Sequence, residues 1–98
     1  MIVAVDFDGT LWAEGSANLP LIAWLRSVQQ SGNIVILWTC REGSALSEAL
    51  LILREHGFVP NFINRNAPAV VRQLRRDPRK IFADVYIDDK SQRMEFSP

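Results

Sequence analysis

The chain has 98 residues, 48% of them hydrophobic, which fits one domain with a single core over residues 1–98. Eleven basic and eleven acidic side chains balance to zero net charge, so composition favours neither a nucleic-acid nor a membrane partner. One cysteine, Cys40, and one histidine exclude an internal disulfide and a structural zinc site of the usual kind. Because neither a signal peptide nor a run of about 20 apolar residues occurs, we expect a cytoplasmic protein.

The first predicted element is a strand, because the apolar run Ile2–Val5 is typical of a strand buried on both faces. It ends in two carboxylates, Asp6 and Asp8, separated by Phe7. Alternate side chains of an extended chain face the same way, so both carboxylates can point beyond the strand end while Phe7 enters the core. Gly9 permits a tight turn there. Two like charges this close repel unless a cation lies between them or one is protonated.

A loop over residues 12–17 and then a helix are predicted next. Asn18 or Ser16 can cap this helix, Pro20 suits its first turn, and Gly32 ends it. Apolar residues repeat at helical spacing along it: Leu21, Ile22, Trp24, Leu25 and Val28.

The middle of the chain predicts strand, helix and strand. Ile34–Trp38 is a second buried strand, and Phe62–Ile63 is a short third one. Between them Ser44 can cap a helix that stops at Gly57. Its predicted inward face comprises Leu46, Ala49, Leu50 and Leu53.

The last predicted elements are a third helix, capped by Asn66 and closed at residues 77–78, and a fourth strand over Ile81–Ile87. The predicted inward residues of the third helix are Val70, Val71 and Leu74. Residues 91–98 are polar and expected to be loosely held. Alternating strands and helices predict an α/β domain with a parallel sheet and right-handed crossovers.

Polar groups follow all four predicted strands, and ligands of open α/β sheets bind beyond the carboxyl ends of the strands. These groups are Asp6 and Asp8, Thr39, Asn64 to Asn66, and Asp88 with Asp89. Their convergence predicts a site that holds a metal ion or an oxyanion.

The motif Asp6-Phe7-Asp8-Gly9-Thr10 resembles the DxDGT motif of the haloacid dehalogenase superfamily of phosphohydrolases. Thr39, Lys80 and the pair Asp88-Asp89 follow in the order of the other three motifs of that superfamily. The resemblance implies a three-layer Rossmann-like domain with strand order 4-1-2-3. It also implies a Mg²⁺-dependent phosphatase that works through an aspartyl phosphate.

The resemblance also implies roles for the acidic residues. Asp6 attacks phosphorus, and Asp8 serves as general acid and base and ligates magnesium through its backbone carbonyl. Asp6 and Asp88 would supply carboxylates to the metal. Asp89 would hold a metal-bound water or orient the lysine.

Thr39 occupies the place of a hydroxyl that hydrogen-bonds phosphate, although a helix cap is the simple alternative. Lys80 would stabilise the charge of the phosphoryl group. Its place close before the last strand resembles that in 5'-deoxyribonucleotidases. Lys90 and Arg79 are alternatives for this role. Lys80 could also be a solvent-exposed lysine with no part in the site.

Gly9, Cys40, Arg41 and Asn64 are the candidate substrate-binding residues. Arg41 can reach a substrate anion or lie on the surface, and Asn64 can touch substrate or form a turn. Cys40 has no arginine six residues later, as a cysteine-based phosphatase requires, so we expect it to be buried and inert.

The motifs leave no room for an inserted cap domain, so the site would be open. The substrate would be a small phosphate ester or a phosphorylated macromolecule, and a homo-oligomer is compatible with an open site. A non-catalytic binding or regulatory module with the same fold is the alternative. A receiver domain usually has its acidic pair after the first strand and its phosphorylated aspartate after a later one. It is disfavoured here because the DxDGT motif comes first and the pair Asp88-Asp89 comes last.

Overall fold

The computed structural model describes residues 1–74, 81–88 and 94–96. Its strands are β1 (Ile2–Asp6), β2 (Trp12–Ala13), β3 (Ser16–Ala17), β4 (Ile34–Trp38), β5 (Phe62–Ile63), β6 (Val85–Ile87) and β7 (Met94–Phe96). Its helices are α1 (Leu19–Gln30), α2 (Gly43–Glu55) and α3 (Pro68–Leu74). Within the described ranges, no helix combines the length and apolarity needed to cross a bilayer.

The main sheet has the order β5-β4-β1-β6-β7. Its first four strands are parallel, and β7 runs antiparallel to β6. The predicted α/β class with a parallel sheet is confirmed. The predicted order of four strands, 4-1-2-3, differs from this sheet because residues 94–96, expected to be loosely held, add a fifth strand at the edge beside β6.

The predicted loop over residues 12–17 is instead a hairpin of β2 and β3, in which Trp12 pairs with Ala17. Its two turn residues, Glu14 and Gly15, have φ values of 52° and 76°. Positive φ at both central residues is the geometry that two-residue hairpin turns require, and glycine adopts it at little cost. A glutamate before that glycine is a weak signal, which is why the sequence did not predict the hairpin.

The start of α1 is confirmed, and the start of α2 is not where it was predicted. The Asn18 side chain accepts the Leu21 N–H at 3.2 Å, and Pro20 lies in the first turn of α1. The second helix begins at Gly43, with Glu42 as its N-cap and no side-chain capping bond, so the prediction of Ser44 as the cap is wrong.

The predicted inward face of α3 is wrong. None of its residues is buried: Val70 and Val71 are half-buried, and Leu74 is 42% exposed. The Asn66 side chain, predicted to cap this helix, accepts the Phe82 N–H at 2.7 Å. The predicted end of α3, at residues 77–78, lies outside the described part of the chain.

The fourth predicted strand is shorter than expected, because β6 spans only Val85–Ile87. The Tyr86 hydroxyl donates to the Ile81 carbonyl at 2.6 Å and accepts the Ala83 N–H at 3.1 Å. These local bonds occupy the Ile81 carbonyl and the Ala83 N–H, so these groups are satisfied without extending the strand toward Ile81.

The core lies mainly on one side of the sheet, between β1, β4, α1 and α2. It contains the buried residues Val3, Val5, Phe7, Leu11, Ile22, Leu25, Val28, Val35, Leu37, Ala49, Leu53, Phe58, Val85 and Ile87. The other face has a smaller buried cluster of Ala4, Ile36 and Ile81. Strand β1 is thus buried on both faces, as predicted, and it carries the acidic pair at its carboxyl end.

Candidate active site

Three neighbouring strands bring the predicted site residues to one edge of the sheet. Asp6 lies beside Trp38 in the register of β1 with β4, and the residue before Asp6 lies beside Ile87 of β6. Thr39 directly follows the last residue of β4, and Asp88 directly follows the last residue of β6. Because adjacent strands are about 4.8 Å apart, the ends of β4 and β6 flank Asp6 on both sides.

A tight turn after β1 places Asp8 at the surface. Gly9 has a φ of 80°, and its N–H donates to the Trp12 carbonyl at 2.8 Å. The N–H groups of Thr10 and Trp12 donate to the Phe7 carbonyl at 3.2 and 3.0 Å. The ring of Phe7 is buried and stacks on that of Trp12, with centroids 6.5 Å apart. The backbone of the turn is therefore held by its own hydrogen bonds.

The half-buried Asp6 carboxylate is oriented by the same turn. Its Oδ1 accepts the N–H of Phe7 at 2.8 Å. A carboxylate that accepts the next backbone N–H is held near one rotamer. An oriented carboxylate is what a nucleophilic role requires.

Asp8 forms a two-bond ion pair with Arg41. Arg41 Nε donates to Asp8 Oδ2 at 2.9 Å, and Nη2 donates to Oδ1 at 2.8 Å. The guanidinium also donates from Nη1 to the Ala45 carbonyl at 3.1 Å and lies 4.7 Å from the centroid of the Phe7 ring. The turn after β1 is thus tied to the turn after β4.

This pairing alters the titration of both groups. Hydrogen bonds from Arg41 lower the pKa of Asp8 below its ordinary value; partial desolvation opposes the shift, and the positive charge of Arg41 adds to it. The same hydrogen bonds raise the pKa of Arg41. In this conformation Asp8 is held as a carboxylate.

Thr39 is buried and firmly positioned. Asn64 Oδ1 accepts the Thr39 N–H at 2.8 Å, and Asn64 Nδ2 donates to the Thr39 carbonyl at 2.9 Å. The Thr39 hydroxyl oxygen accepts the Arg41 N–H at 3.1 Å. Asn64 has a φ of 53°, a conformation that asparagine tolerates better than most residues. The amide of Asn64 thus acts on Thr39, a positioning role that the sequence did not reveal.

The remaining candidate residues differ in what the structure says of them. Lys80 and Asp89 lie outside the described residues, as do the alternatives Arg79 and Lys90. Cys40 is exposed, so the prediction that it is buried is wrong. Cys40 lies two residues after the end of β4, beyond the apolar run Ile34–Trp38, and this is why its side chain is not buried.

The donor atoms available for a cation are carboxylate and carbonyl oxygens. Within the described ranges, no group of three or more His, Cys, Asp or Glu side chains could hold a metal ion. The predicted direct ligands are the carboxylates of Asp6 and Asp88 and the backbone carbonyl of Asp8. Asp89, predicted to hold a metal-bound water or orient the lysine, lies outside the described residues. Oxygen ligands of this kind suit Mg²⁺, which binds through one or two carboxylates and keeps several waters. The Asp8 carboxylate faces Arg41 and is not needed in that set.

Thr10 is a site residue whose environment the sequence did not predict. Its Oγ is the buried side-chain polar atom that has no hydrogen-bond partner in the described part of the chain. A buried hydroxyl without a partner carries a free-energy cost. This one lies in the turn that holds the acidic pair.

The fold and these side chains define an α/β protein with a polar site at the carboxyl edge of its central strands. No protein-family model and no curated protein matches the chain. A solved structure of a conserved protein from Bacteroides thetaiotaomicron is similar to it, with 34% sequence identity and a TM-score of 0.77. The similarity covers 92% of this chain and 76% of the other. The chain belongs to the same family as this Bacteroides protein.

Proposed function

We propose that the protein is a Mg²⁺-dependent phosphomonoesterase of the haloacid dehalogenase type, which acts through an aspartyl phosphate on Asp6. The observation that carries the proposal is the meeting of three strand ends. Asp6 is flanked by the strands that end in Thr39 and Asp88, and Asp8 stands in the following turn. This is the order and placement expected from the DxDGT resemblance.

Asp6 is the proposed nucleophile. A carboxylate oxygen of Asp6 attacks phosphorus, and the bond from phosphorus to the leaving oxygen breaks. The hydrogen bond from the Phe7 N–H orients this carboxylate before substrate arrives. Magnesium, when bound by Asp6, Asp88 and the Asp8 carbonyl, would offset the repulsion between the carboxylate and the phosphate.

Asp8 is the proposed general acid and base. Asp8 takes up a proton from solvent once it has left Arg41, and it gives this proton to the leaving oxygen in the first step. The resulting carboxylate then takes a proton from the water that attacks the aspartyl phosphate. The second attack breaks the bond between phosphorus and Asp6 and releases inorganic phosphate. For either transfer the Asp8 carboxylate must turn at least one oxygen away from Arg41, because both oxygens accept from it.

Thr39 and Lys80 are the proposed phosphate-binding residues. Asn64 fixes the backbone on both sides of Thr39, so the Thr39 hydroxyl is held at the site edge. Lys80 is retained for the charge-stabilising role on the resemblance alone. We also propose that the enzyme is cytoplasmic and works without a cap, on a small phosphate ester or a phosphorylated macromolecule.

The deciding experiment is hydrolysis of a broad panel of phosphate esters by the wild type with magnesium, by the wild type with EDTA, and by Asp6→Asn with magnesium. Turnover that requires both magnesium and Asp6 supports the proposal. Turnover that survives the Asp6 substitution contradicts it, because contaminating phosphatase or a different nucleophile would then be responsible.

A non-catalytic binding module is the second candidate, and one observation favours it. Arg41 engages both oxygens of Asp8, the residue that a catalyst would need for proton transfer. Magnesium binding without turnover of any ester in the panel would move the assignment to this candidate.

A further inference from the structure

We propose that Arg41 selects phosphate esters whose leaving group carries a second negative charge. Such a leaving group replaces Asp8 as the ion-pair partner of Arg41. The inference rests on the proposed function, since it assumes that Asp8 faces the leaving oxygen. It goes further by naming a substrate class: esters that carry a carboxylate or a second phosphate on the departing part.

The guanidinium of Arg41 is held in place by contacts other than Asp8. Nη1 donates to the Ala45 carbonyl, and the ring of Phe7 lies beneath the guanidinium. The backbone N–H of the same residue donates to the Thr39 hydroxyl. None of these three contacts is made to Asp8, so Nε and Nη2 can stay directed at the place where the Asp8 carboxylate now lies when Asp8 moves away.

Asp8 is the partner that can be exchanged. Its side chain is 56% exposed, whereas that of Arg41 is 21% exposed. A carboxylate or phosphate offers two oxygens at the spacing that a guanidinium fork recognises, as Asp8 itself does. An anionic leaving group next to Asp8 can therefore accept from Nε and Nη2 in its place.

The exchange would couple substrate choice to catalysis. A leaving group with a second anion gains two charge-assisted hydrogen bonds and frees the Asp8 carboxylate to face the leaving oxygen. A neutral leaving group has nothing to offer Arg41, so Asp8 stays in its ion pair. Preference for the anionic ester should thus appear in kcat as well as in KM.

The first test compares 3-carboxyphenyl phosphate with 3-carbamoylphenyl phosphate, two esters of similar size that differ in charge. We expect wild-type kcat/KM to favour the carboxyl ester by about tenfold or more, the range for hydrogen bonds to a charged group. Arg41→Gln should bring the ratio close to unity, and Arg41→Lys should restore part of it. Arg54→Gln, on the exposed side of α2, is the control and should keep the wild-type ratio. A wild-type ratio near unity, or a ratio unchanged in Arg41→Gln, overturns the inference.

The second test does not depend on turnover. In the Asp6→Asn variant, the Arg41 Nε–H signal is followed by NMR while each ester is added, and it is assigned by its loss in Asp6→Asn/Arg41→Gln. The carboxyl ester should shift this signal, and the carbamoyl ester should not. Equal responses to both esters overturn the exchange of partners. A selective shift with no hydrolysis of either ester by the wild type would contradict the phosphatase proposal while supporting the anion exchange.

Discussion

The two ends of the sheet carry similar polar residues, and the ion pair of Asp8 distinguishes the carboxyl end. At the amino end, Asn61 Oδ1 accepts the Val35 N–H, and Asp84 Oδ2 accepts the Ile2 N–H. Each residue also donates its own backbone N–H to the carbonyl of the same partner. At the carboxyl end, Asn64 holds the backbone of Thr39 in a similar way, whereas Asp8 pairs with another side chain, that of Arg41. Polar residues next to buried strands therefore do not mark a site by themselves; their partners distinguish a backbone clamp from a group available for chemistry.

The largest expected effect that separates the two ends is on turnover. Asp6→Asn removes the proposed nucleophile and should lower kcat by about a thousandfold or more, since covalent catalysis is lost. Asp84→Asn, at the amino end, should leave kcat within about twofold, because the hydrogen bonds described for Asp84 join it to the backbone of Ile2, at the end of β1 opposite the site. Steady-state kinetics of both variants on the same ester checks this. A comparable loss in both would remove the functional distinction between the ends.

Two asparagines give a matched comparison of stability with activity. Asn64→Ala and Asn61→Ala each remove a side chain that hydrogen-bonds backbone at or beside β4. Asn61→Ala should cost about 1–2 kcal/mol in the free energy of unfolding. Asn64→Ala should cost more, because alanine tolerates the positive φ of this position less well than asparagine. Only Asn64→Ala should also lower kcat, because Asn64 holds Thr39. Urea unfolding and ester hydrolysis, measured on both variants, test the pair. If Asn61→Ala slows turnover as much, positioning of Thr39 is not what the asparagine contributes.

The sequence predicted the main helices and strands better than the packing and pairing of their residues. Apolar runs located β1 and β4, and the Asn18 cap with Pro20 located α1, because burial and capping are encoded in a few adjacent residues. The strand β7 was missed because three residues, Met94–Phe96, are too short a run for a strand to be predicted from their pattern. The weakly buried α3 was overestimated because three apolar residues at helical spacing do not show what lies opposite them.

The site was predicted by residue type, and its internal bonds were not. Carboxylates after β1 and a threonine after β4 stand at one edge, as parallel strands require. The pairing of Asp8 with Arg41 joins two turns that are 33 residues apart in sequence, so only the tertiary structure fixes it. The Asn64 clamp on Thr39 is hidden for the same reason.

The Asp8–Arg41 pair should be visible in a titration. The pKa of Asp8 should lie below the ordinary value of about 3.9 in the wild type and rise toward it in Arg41→Gln, because the hydrogen bonds from Arg41 are lost. A lowered folded-state pKa means that the pair stabilises the fold above the unfolded-state pKa. This contribution is lost as the pH falls through the folded-state pKa. NMR of the Asp8 carboxyl carbon across the acid range measures both values; equal values in the two proteins would show that the pair does not persist in solution.

The smallest expected effect concerns Thr10, which lies in the turn at the carboxyl end. Because its buried Oγ has no partner in the described part of the chain, Thr10→Val removes a polar atom that gains nothing from the fold. The free energy of unfolding should change by less than about 1 kcal/mol, and an increase is the more natural direction. Thr10→Ser keeps the hydroxyl and serves as the control. If Thr10→Val folds normally and yet loses turnover that Thr10→Ser retains, the hydroxyl takes part in the reaction, and the turn contributes a polar group to the site beyond its two carboxylates.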